Sequence, residues 1–116
     1  MLTNQQKGYQ GELKSKLFLE GIGYYILETN YRNRHGEIDI ICEYNNKIIF
    51  VEVKLRSTTR FGSPAEAVNT NKISKIKTLA FEYLRSQNLL DYAVRFDVIE
   101  VYRLESFRIN HIENAF

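Results

Sequence analysis

Two asparagines, Asn45-Asn46, separate two runs in which apolar and charged residues alternate, and this pattern constrains the chain more than any other feature. Asn tolerates the positive φ values of a tight hairpin turn, so residues 37–44 and 47–55 read as paired antiparallel strands. Counting outward from the turn, Cys42 faces Ile49, Ile40 faces Val51 and Ile38 faces Val53, which makes one face wholly apolar. The other face pairs Ile41 with Phe50, Asp39 with Glu52 and Glu37 with Lys54. Directly opposed like charges destabilise a strand pair, and the neighbouring Ile41 and Phe50 leave little water to screen them. Two carboxylates so placed raise one another's pKa unless a cation lies between them. A hard divalent ion such as Mg²⁺ needs one or two carboxylates plus water and substrate oxygens, so the Asp39–Glu52 pair is a candidate metal site. Lys54 lies two residues past Glu52 on the same face, within reach of a substrate phosphate or an attacking water, and Glu37 is placed to orient it. The same alternation also occurs in any half-exposed hairpin, where Glu37–Lys54 is a surface ion pair of little energy.

The rest of the chain reads as an α/β fold in the order α-β-β-β-α-β, a mixed sheet flanked by helices. Residues 4–20 form the first helix, with Tyr9, Leu13 and Leu17 on its buried face and Gly21 as its stop. Gly8 and Gly11 inside it mark close approach of a backbone or a ligand. Residues 24–31 form a strand ahead of the basic turn Arg32-Asn33-Arg34-His35-Gly36. After a polar loop, Ser63-Pro64-Ala65-Glu66 has the N-cap, N1 and N3 residues of a helix start. The helix that follows buries Ile73, Ile76, Ala80 and Tyr83. Residues 94–102 form a fourth strand, on which Arg95 and Asp97 share one side as a structural ion pair or as supports behind the site, and residues 107–112 can add a fifth strand at the edge.

With 116 residues, the chain suits a single domain over residues 1–116. A net charge of +2 permits a nucleic-acid partner without requiring one. Cys42, between apolar neighbours, reads as a small buried hydrophobe. The first ten residues are polar and lack the apolar core of a signal peptide, so none is expected, and the apolar run at residues 48–51 is far too short to cross a bilayer. The expectation is a soluble, cytoplasmic protein.

At the hairpin the sequence resembles the restriction-endonuclease-like, PD-(D/E)XK superfamily. Asp39 lies on one strand and Glu52-Val53-Lys54 on the next, after a helix bearing Glu12. More closely, it is similar to the YraN-type family of small bacterial proteins, predicted nucleases related to archaeal Holliday-junction resolvases. The stretches that carry this are Gly11-Glu12, Asn30-Tyr31-Arg32, Gly36-Glu37-Ile38-Asp39-Ile40-Ile41, Phe50-Val51-Glu52-Val53-Lys54-Leu55-Arg56, Phe61-Gly62, Lys72 and Arg95-Phe96-Asp97. Ile38 stands where the superfamily name has Pro, as is usual in this family, and Ser15 replaces an expected Ala.

The resemblance implies that Asp39 and Glu52 hold Mg²⁺ or Mn²⁺ with the Val53 carbonyl, while Glu12 reaches the same ion directly or through water. It implies that Lys54 positions the attacking water and helps deprotonate it. Arg32 and Arg34 in the turn, Arg56 and Arg60 in the following loop, and Lys72 on the second helix are candidate contacts to DNA phosphates. Each also has an ordinary reading as a solvated surface charge, and His35 has no neighbouring His or Cys to make it a metal ligand. The expected function is DNA phosphodiester hydrolysis, on branched or damaged DNA, in repair or recombination, with homodimer formation left open. Two other classes compete. One is a nucleic-acid-binding module of the same fold without turnover; the other is an interaction domain whose acidic pair is an accident of the hairpin.

Overall fold

The computed structural model describes residues 3–56, 70–103 and 107–116. The elements run α1 (Asn4–Gly21), β1 (Tyr25–Asn33), β2 (Gly36–Tyr44), β3 (Lys47–Arg56), α2 (Thr70–Ser86), β4 (Ala93–Arg103) and β5 (Phe107–Ile112). The α-β-β-β-α-β order expected from the sequence is the order found, with the fifth strand added. The strands form one sheet in chain order, antiparallel except for the parallel β3–β4 pair. That parallel step needs a crossover, which α2 supplies. The helix start expected at Ser63-Pro64-Ala65-Glu66 lies outside the described residues, as do Thr58, Thr59, Phe61 and Gly62.

The central strand shows why its sequence is a continuous apolar run. Ile48 and Phe50 pack under α2 with Ile41, Ile76, Leu79 and Tyr83. Ile49 and Val51 pack under α1 with Ile40, Cys42, Leu19 and Ile99. A strand covered on both sides is apolar at every position. On α2, Ile76, Ala80 and Tyr83 are buried as expected and Ile73 partly so. Asn45 and Asn46 have φ 52 and 60, and the hairpin follows the expected register from Tyr44–Lys47 to Ile40–Val51.

Beyond that pair the ladder stops. Ile38–Val53, Asp39–Glu52 and Glu37–Lys54 are therefore not strand partners, contrary to the extrapolated register. The single apolar face fails at the same place. Ile40 packs under α1, but Ile38 packs under α2. Strict alternation breaks at Asp39, and the neighbouring strand is irregular there too. Asn30, which sits between the Thr29–Ile40 and Tyr31–Ile38 pairs, has φ 52. Irregularities of this kind bend a strand and re-aim a side chain.

Helix α1 is capped by Thr3, whose side chain accepts from the Gln6 N–H while the Gln6 side chain accepts from Thr3 N–H. Its buried face is not the expected one. Tyr9, Leu13 and Leu17 are exposed, and Gly11, Ser15 and Leu19 face the sheet instead. Proximity is the reason. A Cβ added at Gly11 would lie 3.6 Å from a Leu55 methyl carbon, so a small residue there lets the helix lie close to β3. The buried Ser15 hydroxyl is satisfied by the Gly11 carbonyl at 2.9 Å. Under α1, the expected Arg95–Asp97 pair is present with two contacts of 2.9 Å. Burial alone would raise the Asp97 carboxyl, but His111, Arg95 and the Asn114 N–H hold it below its ordinary range.

The exchange of faces on α1 has a direct test. Leu19→Ala should cost about 2–5 kcal/mol in urea unfolding. Leu17→Ala, at a position 55% exposed, should change stability by no more than about 0.5 kcal/mol.

Candidate active site

The end of the β2–β3 ladder organises the site. The Val53 N–H points toward β2 but finds no carbonyl partner there, and it donates instead to Asp39 Oδ2 at 2.7 Å. The side chain of Asp39 thus does what the backbone of β2 does elsewhere, and the carboxyl is held at a fixed point between the two strands. Glu52 lies next along β3, with a side chain only 8% exposed. Its Oε1 is 3.5 Å from Lys72 Nζ, while its Oε2 is buried without a hydrogen-bond partner among the described residues.

Asp39 sits in a second acidic group as well. One carboxylate oxygen from each of Glu12, Glu37 and Asp39 lies within 4.8 Å of the others. Glu12 comes from α1, on the turn that Gly11 brings close to β3. Glu37 joins the acidic cluster, contacts Arg32 at 3.5 Å and lines the same cavity as Lys54. A cavity of about 450 Å³ is lined by Glu12, Glu37, Asp39, Glu52, Lys54 and Lys72.

Crowding leaves its mark on the proton equilibria. Burial first, then the neighbouring Glu52 carboxyl and its charge, push the Asp39 carboxyl up to about 8, against the opposing Val53 hydrogen bond. Burial also raises Glu12, helped by Asp39 and Glu37 and opposed by Asn30. Lys54 is lowered by burial, then by its contact with Lys72 and the charge of that residue. For Lys72 burial acts downward, but the Lys54 contact and the Glu52 and Asp39 charges outweigh it and raise the group. Of the two amines, Lys54 gives up its proton more readily.

The donor set fits a hard divalent cation. Several carboxylates converge, one buried oxygen lacks a donor among the described residues, and electrostatic repulsion between the acids is only partly offset by Lys72. The structure thus brings together Glu12, Asp39, Glu52, Val53 and Lys54, with Glu37 and Lys72 drawn into the same cavity. Lys72 was expected only as a DNA contact. It arrives from a helix remote in sequence, and no local spacing signals its place beside Glu52. Arg32 and Arg34 line an adjoining cavity. Arg56 is engaged by the buried Glu100 at 3.3 Å, and Arg60 lies outside the described residues.

Residues 11–101 match the uncharacterised protein family UPF0102. A UPF0102 protein of Clostridioides difficile strain 630 is 50% identical over 115 residues, covering 99% of this chain and 100% of that one. Another from Alkaliphilus oremlandii is 48% identical over 116 residues, covering 97% and 99%. Among solved structures, Pyrococcus furiosus SfsA in complex with Ca²⁺ aligns with 97% of this chain, which spans 64% of that one, at 17% identity and a TM-score of 0.43. That likeness is too loose to transfer chemistry. No described helix is long and apolar enough to cross a membrane.

The raised Asp39 carboxyl makes stability depend on pH. Between 3.8, its ordinary value, and about 8, the folded protein keeps a proton that the unfolded chain has lost. Metal-free protein should therefore lose stability as pH rises through that window. Thermal melts in EDTA from pH 4 to 9 should show this decline, and Asp39→Asn should flatten it; an equally steep decline in the variant contradicts the assignment.

Proposed function

The chain belongs to the uncharacterised protein family UPF0102, the YraN-type family its sequence resembles, and we propose that it is a metal-dependent nuclease hydrolysing phosphodiester bonds of DNA. The observation that carries this reading is the convergence of Glu12, Glu37, Asp39 and Glu52 on one cavity, with Glu52 Oε2 buried and without a hydrogen-bond partner among the described residues and an amine pair on the same wall. Repulsion of this kind is a standing cost to the fold, and a bound dication turns it into attraction.

In this reading Asp39, Glu52, Glu12 and the Val53 carbonyl hold Mg²⁺ or Mn²⁺, and Glu37 adds a further carboxylate. The ion supplies Lewis-acid polarisation of the scissile phosphoryl group and a water that ionises near neutral pH. Every other task falls to side chains of the chain itself. Lys54, with its proton affinity lowered, accepts the proton of the attacking water at Nζ. Lys72 stays charged, steadies Glu52 and faces the negative charge that builds on the phosphate. Asp39 is kept in place by the Val53 N–H, so the acid does not reorient as substrate arrives. Branched or damaged DNA, in repair or recombination, is the substrate class the family resemblance implies.

Incubation with supercoiled, single-stranded and four-way-junction DNA in Mg²⁺ or Mn²⁺ tests the proposal. Wild type should cut at least one of them. Asp39→Asn and Lys54→Ala should each cut about 10²–10⁴-fold more slowly while keeping the wild-type circular dichroism spectrum. Salt-sensitive DNA binding with no cutting in any metal would overturn the enzymatic reading in favour of a binding module.

A further inference from the structure

Beside the acidic cavity lies a second one of about 510 Å³, between the β1–β2 turn and the first half of α2. Its character is the reverse of its neighbour's. Arg32, Arg34, His35, Lys72 and Lys75 line it, with Glu37 as the one carboxylate among its described lining residues. Glu37 and Lys72 belong to both walls, so the two cavities are contiguous.

Two features set this cavity apart from an ordinary basic surface. First, two of its cations lack a neutralising carboxylate among the described residues, whereas Arg32 contacts Glu37 and Lys72 contacts Glu52. Among the described residues, Arg34 contacts only the His35 ring, at 3.4 Å, and no carboxylate pairs with Arg34 or Lys75. Second, the turn that carries Arg34 and His35 is anchored. Asn33 Oδ1 accepts the His35 N–H at 2.7 Å, closing the turn on itself. Asn33 Nδ2 then donates to Glu82 of α2 at 2.8 Å, and His35 Nε2 lies 3.4 Å from the same carboxylate. Glu82 therefore holds the turn against the helix and keeps both cavity walls in place. A pocket of roughly 300–1,000 Å³ is the size that takes a small ligand, more than a lone phosphate fills.

We propose that this basic cavity is a phosphate-binding subsite that takes the sugar–phosphate unit next to the one cut, through Arg34, Lys75 and Lys72. The proposal rests on the nuclease reading and deepens it. Arg34 offers a planar fork to phosphate oxygens and Lys75 a point charge. A strand held there is continuous with the acidic cluster, so the subsite sets which bond lies over Asp39 and Glu52. Glu82 is a positioning residue, acting through its bond from Asn33 without touching DNA.

The test separates binding from cutting by working in EDTA. A fluorescein-labelled DNA oligonucleotide is titrated with wild type, an Arg34→Ala/Lys75→Ala double variant, Glu82→Ala and Asp39→Asn, at several salt concentrations. The double variant should bind at least about ten-fold more weakly, with a log–log salt slope smaller by about two. Asp39→Asn should bind no more weakly than wild type. Glu82→Ala discriminates most sharply. A pure net-charge effect predicts tighter binding once a carboxylate is removed, whereas an anchored subsite predicts weaker binding. If wild type binds and cuts DNA while the double variant matches it in affinity and slope, the subsite is overturned and the nuclease reading stands. If Glu82→Ala binds more tightly, the positioning role is overturned. If wild type neither binds nor cuts, both readings fail together.

Discussion

The hydrogen bond from the Val53 N–H to Asp39 is the contact on which the rest of the arrangement depends. It forms because the β2–β3 ladder ends at Ile40–Val51, two residues before Val53. A regular hairpin would have sent the Asp39 side chain to one face and given Val53 a carbonyl partner. Here the carboxyl itself bridges the parting strands. The hydrogen bond therefore ties a backbone irregularity to a fixed acid, and the fixed acid to Glu52, Glu12 and Glu37 around it.

This geometry sets a balance of charge that the protein alone meets only in part. Glu12, Glu37, Asp39 and Glu52 share one cavity with Lys54 and Lys72, and Arg32 reaches Glu37 from its rim. The burial that raises Asp39 also lowers Lys54, so the acid and the amine are both pushed toward neutrality by the same low-dielectric surroundings. Groups poised in this way respond strongly to an added cation or phosphate, since each changes the field where screening by water is weakest. The adjoining basic cavity extends the same logic, with positive charge placed where a polyanion would continue past the acids.

Much of this was legible in the sequence, and the failures have physical causes. The Asn45-Asn46 turn and the alternation beside it specify register strongly, because a one-residue slip would turn the core face outward. The register therefore held up to Ile40–Val51, and Asp39, Glu52 and Lys54 were picked out together. It failed one residue further because the left-handed Asn30 and the break at Asp39 leave no trace in hydrophobic pattern. The inner face of α1 departs from its apolar pattern for a related reason. Close approach to β3 selects Gly11 and Ser15, which no apolar count identifies, while Tyr9, Leu13 and Leu17 look buried and are not. Hairpin spacing also puts Glu37 near the site, whereas the place of Lys72 beside Glu52 depends on tertiary geometry that spacing along the chain does not encode.

The central claim is that a dication belongs where these carboxylates converge, and its position can be seen directly. Crystals grown with Mn²⁺ and mapped by anomalous scattering should show a peak in contact with an Asp39 oxygen, about 2.1 Å away, with Glu52 or Glu12 completing its protein ligands. A well-ordered Asp39 and Glu52 with no peak between them, or a manganese ion held elsewhere on the molecule, would contradict the account.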